Sequence, residues 1–263
     1  MSEEILIYVY VLAGILGLCV GSFLNVVIYR LPKEMSLSKP SSHCTTCGYK
    51  LRWYDNVPII SYLILGGKCR SCGQKISPRY IAVECLNAIL WLASALVFAK
   101  ENVYYAILVA ILTSCLVCIF FIDLEHLIIF DRFHIIISCL AIIAIFIDKR
   151  VSWQERLIGF GVGAVVLLLI YYLSILIYKK EGIGFGDVKL FAVCGLFLGV
   201  KSLILSLIIS SVIASVVLVI VSKIKKKEKG TEYPFGPFIT VAVLISVFVG
   251  EYIVNWYLSL LTI

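Results

Sequence analysis

Long apolar stretches alternate with shorter polar ones along the chain. A helix that crosses a bilayer needs roughly 20 consecutive, mostly apolar residues. Five of the apolar runs are close to or above that length, one is marginal and two are short. The runs cover about 4–29, 80–98, 103–122, 133–147, 157–177, 188–200, 202–222 and 235–261. This pattern predicts an all-α polytopic membrane protein with about eight transmembrane helices.

The composition supports a membrane protein, because 62% of the 263 residues are apolar and only 15% are charged. A soluble domain does not need so much apolar surface. The first apolar run follows an acidic MSEE start and is too long for a cleaved signal peptide. We therefore expect it to be a retained span.

Basic residues are unevenly distributed between the predicted loops. Eighteen of the 23 lysines and arginines fall in 30–79, 123–132, 178–187 together with Lys189, and 223–234. The positive-inside rule places these loops in the cytosol and both termini outside. The net charge of +7 then reflects membrane topology, and the KIKKKEK run at 223–229 suits anionic lipid headgroups better than nucleic acid.

The segment 30–79 is the one long polar stretch, and it contains four of the six prolines. We therefore predict a first span at 1–29, a cytosolic insertion at 30–79 and a multi-span membrane domain at 80–263. An insertion of about 50 residues is too small to rely on its own hydrophobic core, so it needs a staple such as a metal ion.

Two CxxC pairs, each followed by a glycine, lie in this insertion with 21 residues between them. Four thiolates at such spacing can surround one tetrahedral Zn²⁺, and the glycines let backbone N–H groups turn toward the sulfurs. Two disulfides or four ordinary buried cysteines are the alternatives, and a reducing cytosol argues against the disulfides. We predict a structural zinc site, with no open coordination position, at Cys44, Cys47, Cys69 and Cys72.

Two aspartates stand beside apolar runs on the predicted cytosolic side. Asp123 follows the third run in FIDLEHLIIFD, and Asp187 closes GIGFGD at the start of the sixth. Two carboxyl groups a few Å apart in a low-dielectric site share one proton, because they cannot both ionise cheaply. The ionised group can take a proton from water while the protonated one polarises a peptide carbonyl. Gly182, Gly184 and Gly186 would allow close approach and dihedrals closed to other residues.

Helix capping is an open alternative for Asp123 and Asp187, because aspartate is favoured at helix N-termini. For Asp131, capping is the preferred interpretation. A phosphate-binding loop at GIGFGD is a weaker alternative, since no βαβ pattern surrounds it. The runs that follow the two candidate acids, 133–147 and 188–200, are the shortest in the chain. Short helices thin the bilayer or leave their ends in a wet recess, so we expect water to reach both carboxylates.

Five segments, in order, resemble those of bacterial type IV prepilin peptidases, the GxGD membrane aspartic proteases that also N-methylate their product. The resemblance covers nearly the whole chain, and the five motifs together are far more specific than GxGD alone. They are GSFLNVVIYRLP at 21–32, the cysteine-containing segment 41–80, IDLEHLIIFD at 122–131, GIGFGDVKL at 182–190 and YPFGPF at 233–238.

The resemblance implies that Asp123 and Asp187 are the catalytic pair and that 80–263 is an aspartic peptidase domain. It implies cleavage of a short basic leader after a glycine, on the cytosolic side of the bacterial inner membrane. The substrate would be a prepilin or pseudopilin held in the lipid by its hydrophobic N-terminal helix. The new N-terminal residue would then be methylated with S-adenosyl-L-methionine as the methyl donor.

The chain departs from the family pattern at two positions. Phe130 stands where a proline usually precedes the next aspartate, which would let the fourth helix begin earlier. Ile81 stands where a proline usually follows RY, at the junction between the cysteine-containing loop and the second span. This second change bears more on methylation than on proteolysis.

The residues that would bind the methyl donor are not identified by any motif. Trp53, Tyr54, Asn56 and Glu84 could line a pocket, with aromatic faces for the adenine or the sulfonium. Interfacial aromatic anchors and a capping asparagine are an equally good interpretation of these residues.

Three further function classes stay open beside the bifunctional enzyme. A peptidase without methyltransferase activity is disfavoured by the intact CxxC pairs. A membrane scaffold whose zinc module docks a cytosolic partner would use the aspartates as helix caps. A secondary transporter is weaker, since the apolar runs show no inverted repeat.

Overall fold

The computed structural model describes residues 2–179, 182–225 and 233–261. Regular structure in these residues is helical, apart from two isolated β-bridges. Most of the basic run predicted to meet lipid headgroups, 223–229, lies outside the described residues. The α-helices are α1 Glu3–Arg30, α2 Ile60–Ile64, α3 Arg79–Phe98, α4 Val103–His126, α5 Asp131–Ile147, α6 Trp153–Tyr178, α7 Phe185–Leu198, α8 Val200–Lys225 and α9 Gly236–Leu261.

All eight predicted apolar runs form helices, which confirms an all-α membrane protein. Only six helices of the described chain are long and apolar enough to cross a membrane, so the count of eight spans is not confirmed. The other two, α5 and α7, have 17 and 14 residues. The six candidate spans are Glu3–Lys33, Arg79–Phe98, Val103–His126, Trp153–Ile177, Val200–Ile224 and Gly236–Leu260.

The chain forms two compact units, Met1–Cys118 and Ile119–Ile263. In the first unit α1 packs against α3 along two glycines. A Cβ atom on Gly17 would lie 2.8 Å from Ala88 Cα, and a Cβ on Gly21 would lie 2.8 Å from Glu84 Cα. Small residues allow such close helix packing in a membrane.

Polar side chains reinforce the packing of the first unit. Asn87 donates from Nδ2 to the carbonyl of Gly17 at 2.8 Å and accepts from Ser114 Oγ at 2.9 Å. Trp91 Nε1 also donates to Ser114 Oγ, at 2.8 Å. Hydrogen bonds between helices replace hydration that is absent from lipid, so this network connects α1, α3 and α4.

Helix α7 lies at the centre of the second unit, where it packs against α5, α6, α8 and α9. Most of its side chains are buried, which explains why its apolar residues cover every face rather than one stripe. A mostly apolar helix of 14 residues is typical of a buried core helix rather than of a span. The second unit is therefore built around the helix that begins next to Asp187.

Glycines bring α6 and α7 into direct backbone contact. A Cβ atom on Gly159 would lie 2.5 Å from the carbonyl oxygen of Gly195, and one on Gly163 would lie 2.9 Å from that of Phe191. Arg156, which is fully buried, donates from Nη1 to the carbonyl of Phe197. These contacts fix the C-terminal half of α7.

The ion pair beneath this contact is also buried. Arg156 Nη2 donates to Asp148 Oδ2 at 2.7 Å, and Arg150 Nε donates to Asp148 Oδ1 at 2.8 Å. Removing one partner of a buried pair typically destabilises a protein by about 3–5 kcal/mol. The short segment between α5 and α6 is therefore tied firmly to the end of α7.

The start of α5 differs from the prediction made for it. Phe130 has φ −76° and ψ 136°, and the helix begins at Asp131 rather than earlier. A proline adopts the same φ, so the backbone of this turn is one that a proline would also accept.

Candidate active site

Asp123 lies in the last turn of α4, because this helix continues four residues beyond the predicted end of the third span. Its side chain is buried. The Oδ2 atom accepts a hydrogen bond from the backbone N–H of Gly236 at 3.0 Å. Gly236 begins α9 and Pro237 follows it, as suits a first helical turn. The carboxylate thus faces the positive end of a helix.

Asp187 lies in the first turn of α7 and is also buried. Its Oδ2 accepts from the N–H of Gly184 at 3.2 Å, while its own N–H donates to the Gly184 carbonyl at 3.0 Å. Within the described chain, Oδ1 is buried and has no hydrogen-bond partner. One oxygen therefore holds the carboxylate in place, and the other is available to a water or a substrate.

Ile129 shows that the two aspartates come together. A Cβ atom on Gly186, beside Asp187, would lie 3.2 Å from Ile129 Cβ, and one on Gly236 would lie 3.2 Å from Ile129 Cδ1. The charge of Asp123 also acts on Asp187. Two buried carboxylates within electrostatic reach of each other form the arrangement that acid–base chemistry requires.

The glycines before Asp187 are explained by the close approach of neighbouring side chains to the backbone, rather than by unusual dihedrals. None of Gly182, Gly184 and Gly186 has φ in the left-handed region, and Gly184 has φ −68°. A Cβ atom on Gly184 would lie 3.2 Å from Asp187 Oδ2, and a Cβ on Gly182 would lie 2.8 Å from Ser174 Cβ. The prediction of close approach is confirmed, whereas Gly184 adopts dihedrals that are open to other residues as well.

The four predicted metal ligands form a cluster in the first unit. The Sγ atoms of Cys44, Cys47, Cys69 and Cys72 all lie within 4.8 Å of one another. The Cys44–Cys72 and Cys47–Cys69 sulfur distances are 3.9 and 4.0 Å, far beyond the roughly 2.05 Å of a disulfide. A tetrahedral ion with bonds of about 2.3 Å places its sulfurs roughly 3.8 Å apart, so the cluster fits Zn²⁺.

Both CxxCG segments turn in the same way. Gly48 and Gly73 have φ of +72° and +70°, which only glycine adopts readily. The first segment also donates backbone N–H groups of Cys47 and Thr46 to the Cys44 sulfur, and they lower the pKa of Cys44 to about 6. At Cys72 a backbone hydrogen bond from Gln74 also lowers the pKa, but desolvation and the neighbouring sulfurs raise it to about 11. Thiolate is the form that binds metal, so the backbone favours that form at Cys44.

An ion pair supports the second segment. Arg70, between the cysteines, donates from Nε to Asp55 Oδ1 at 2.8 Å. Burial alone would raise the pKa of Asp55, but hydrogen bonds from Arg70 and from the Arg52 N–H hold it below its usual range. This pair ties the cysteine loop to the 3₁₀ turn Trp53–Asn56.

Comparison with known proteins decides the family. Residues 15–98 match the bacterial Peptidase A24 N-terminal domain, and residues 110–219 match the type IV leader peptidase family. The prepilin leader peptidase/N-methyltransferase of Pseudomonas aeruginosa is 34% identical over 93% of this chain and 92% of its own length. The chain belongs to the type IV leader peptidase family.

Further relatives carry the same name. The prepilin leader peptidase/N-methyltransferase of Aeromonas hydrophila is 31% identical over 94% of this chain and 93% of its own length. The protein of that name from Myxococcus xanthus is 38% identical over 72% of this chain and 56% of its own length. No solved structure matches the chain significantly.

For this leader peptidase, sequence reasoning missed the role of Gly236. A Cβ atom there would lie 2.6 Å from Asp123 Oδ2, so a larger residue would force this carboxylate to move. The signal was present, since Gly236 is part of the YPFGPF motif. Nothing in the sequence links that motif to Asp123, which lies 113 residues earlier.

Asp131 does not cap α5, and that prediction is wrong. Its Oδ1 atom accepts from Lys189 Nζ at 2.8 Å and lies 3.3 Å from His134 Nδ1. The lysine of GIGFGDVKL is therefore neutralised by Asp131 and not by Asp187. This pair also connects the first turn of α5 to the N-terminal half of α7.

Three of the residues suggested for the methyl donor have different surroundings in the structure. Glu84 accepts from the N–H of Ile59 at 2.9 Å, and the ring of Tyr54 lies beneath the guanidinium of Arg70. The side chain of Trp53 is exposed. An open cavity of about 390 Å³ in the same loop is lined by other residues, among them Tyr62, Lys68 and Lys75. The methyl-donor site at Trp53, Tyr54, Asn56 and Glu84 therefore stays a prediction.

Gly236→Ala tests the link between α9 and Asp123. The new methyl group would displace the carboxylate, and a misplacement of about 1 Å can lower a rate by about 10²-fold. We expect such a loss in the cleavage of a model prepilin by purified protein. Gly250→Ala in the same helix is the control, because its Cβ would meet only ordinary contacts of 3.5 Å or more. Equal rates for both variants would contradict this role.

The metal cluster is tested by metal content. Cys44→Ser and Cys69→Ser each remove one of four ligands, so we expect the purified variants to lose bound zinc, measured by mass spectrometry of the metal. Cys139→Ser, at an exposed position of α5, should keep the wild-type content. Zinc retained in both cluster variants, or absent from the wild type, would show that the cluster is not a zinc site.

Proposed function

We propose that the chain is an aspartic leader peptidase of the bacterial inner membrane that cleaves prepilins or pseudopilins and N-methylates the new N-terminus. The proposal rests on one observation above others: Asp123 and Asp187 are buried within electrostatic reach of each other. The family of the chain and the names of its relatives support the choice of substrate.

The two acids would act as one unit. One carboxylate takes a proton from water as the water oxygen attacks the scissile carbonyl carbon. The other, protonated, carboxyl group hydrogen-bonds to the carbonyl oxygen. The tetrahedral intermediate collapses when the first carboxyl group gives the proton that it took from water to the leaving nitrogen and the C–N bond breaks. The unpartnered Oδ1 of Asp187 is suited to hold the water or the carbonyl.

Water must reach this pair at the edge of the membrane. The two short helices, α5 and α7, follow the acids in the chain, as expected from the two short apolar runs. A short helix thins the bilayer or leaves its end in a wet recess. We propose that the substrate, still anchored in lipid by its hydrophobic helix, presents its leader at this recess on the cytosolic side.

The four cysteines would hold a structural Zn²⁺ in a cytosolic loop at 30–79. All four positions of a tetrahedral ion are then filled, so the metal stabilises the loop and has no open position for a substrate. The loop separates the first span at 1–29 from the peptidase domain at 80–263. The basic residues of this loop support its cytosolic side.

Methylation is supported by the names of the relatives and by the match of residues 15–98 to the N-terminal domain. S-adenosyl-L-methionine would supply the methyl group to the freed amine. The chain's own contribution would be to keep the cleaved N-terminus near the loop at 30–79 while the donor is bound.

Asparagine variants separate catalysis from helix capping. Asn can still accept the hydrogen bonds from Gly236 and Gly184, but it cannot exchange a proton. We expect Asp123→Asn and Asp187→Asn each to lower prepilin cleavage by about 10²–10⁴-fold, with normal protein levels. Mass spectrometry of a model prepilin should show leader loss and an added methyl mass with the wild type.

Glu125→Gln serves as the matched control, since this exposed acid lies in the same turn as Asp123. It should cleave at the wild-type rate. Wild-type cleavage by both Asn variants would assign the aspartates to capping and favour a scaffold. Leader loss without a methyl mass would leave a peptidase alone.

A further inference from the structure

One face of the short helix α2 exposes only large apolar side chains. Ile60, Leu63 and Ile64 are 56%, 65% and 75% exposed. Residues i, i+3 and i+4 lie on one side of a helix, so the three form a continuous surface. We call this surface the α2 face. Such a surface in a loop that is otherwise polar needs an occupant.

The orientation of α2 is fixed by its other side. Ser61 Oγ donates to the carbonyl of Val57 at 2.8 Å, and the Tyr62 hydroxyl donates to that of Ile76 at 3.5 Å. Gly67, with φ +68°, packs so closely that a Cβ atom there would lie 2.9 Å from the Tyr62 hydroxyl. The α2 face therefore cannot turn inward without breaking these contacts.

A hydrogen bond to Glu84 of α3 fixes the position at which α2 begins. Its Oε2 atom accepts from the N–H of Ile59, the residue before the helix, at 2.9 Å. Ile59 has φ +61°, which is unfavourable for a β-branched residue, and this bond helps to hold it there. Glu84 is buried, and its Cα atom packs against Gly21 of α1.

The length of α3 indicates how deep in the membrane the contact between Glu84 and Ile59 lies. The candidate span Arg79–Phe98 has 20 residues, about the minimum that crosses the hydrocarbon core. Arg79 must then lie near the boundary, and Glu84 lies about 7–8 Å further along the helix axis. Helix α2 starts directly after Ile59, whose N–H group binds Glu84. It therefore lies at the junction of headgroups and acyl chains.

Charge around α2 matches a lipid surface. The segment 30–79 has nine basic residues and only two acidic ones, so it stays positive even with a zinc tetrathiolate. Lys68 and Lys75 line the open cavity next to Tyr62 of α2. Basic residues at the cytosolic surface attract anionic headgroups, by about 1 kcal/mol each.

We propose that α2 is an interfacial helix whose α2 face is inserted into the cytosolic leaflet and anchors the cysteine-containing loop on the bilayer. Its occupant is lipid, with anionic headgroups beside Lys68 and Lys75. The cytosolic loop of the proposed function requires only a tether at each end, so this anchor goes beyond it. The loop would be held on the membrane whether or not a substrate is bound.

Tryptophan fluorescence in nanodiscs tests the insertion. The full chain is placed in phosphatidylcholine and phosphatidylglycerol, with or without lipid brominated near the middle of its acyl chains. Ile64→Trp adds one tryptophan on the α2 face. Its fluorescence is obtained by subtracting the spectrum of the wild-type protein from that of the variant. Lys50→Trp is the matched control, on the exposed first CxxC turn of the same loop. Leu63→Trp is a second α2-face probe should Ile64→Trp not fold.

We expect the tryptophan on the α2 face to emit at shorter wavelength than the control and to lose most of its fluorescence to brominated lipid. The Lys50→Trp signal should instead be quenched by aqueous acrylamide. An α2-face signal quenched by acrylamide and not by lipid would place the face in water and overturn the proposal. A signal shielded from both quenchers would mean that protein, such as a second copy, covers the face, and would also overturn it.

Discussion

The hydrogen bonds from two helix N-termini to two buried carboxylates are the constraint on which the second unit depends. The N–H groups of Gly236 and Gly184 hold Asp123 and Asp187 respectively. A hydrogen bond to a charged group contributes about 1.5–3 kcal/mol, which offsets part of the cost of burying that charge. Helix α9 begins at Gly236 and α7 begins directly after Gly184, and a Cβ atom on either glycine would crowd the carboxylate.

The C-terminal end of α7 is held in place as firmly as its start. Arg156 binds the carbonyl of Phe197 and the carboxylate of Asp148, and Gly159 meets Gly195 backbone to backbone. A buried, short helix held at both ends is a rigid support for a reacting group, and rigid support is what acid–base chemistry needs. Capping and catalysis are thus not exclusive interpretations of the aspartates, because the bonds that cap the helices also position the acids.

Local patterns in the sequence were enough to predict the helices, the four-cysteine cluster and the two candidate acids. Apolar runs determine helices in lipid, and CxxCG determines a turn of fixed shape. Contacts between distant segments were not predictable. Gly236 meets Asp123 across 113 residues, and Asp131 binds Lys189 across 58. The number of spans was also uncertain, because a short apolar run suits a buried core helix as well as a span.

The most direct test asks whether Asp123 and Asp187 share one proton. Infrared spectra of wild type and of each single Asn variant, at neutral pH in lipid, can be compared in the carbonyl region of protonated carboxylic acids. We expect one such band that disappears in both variants, because the remaining acid then ionises without a neighbouring charge. A wild-type spectrum without this band, or a band that survives in both variants, would contradict it.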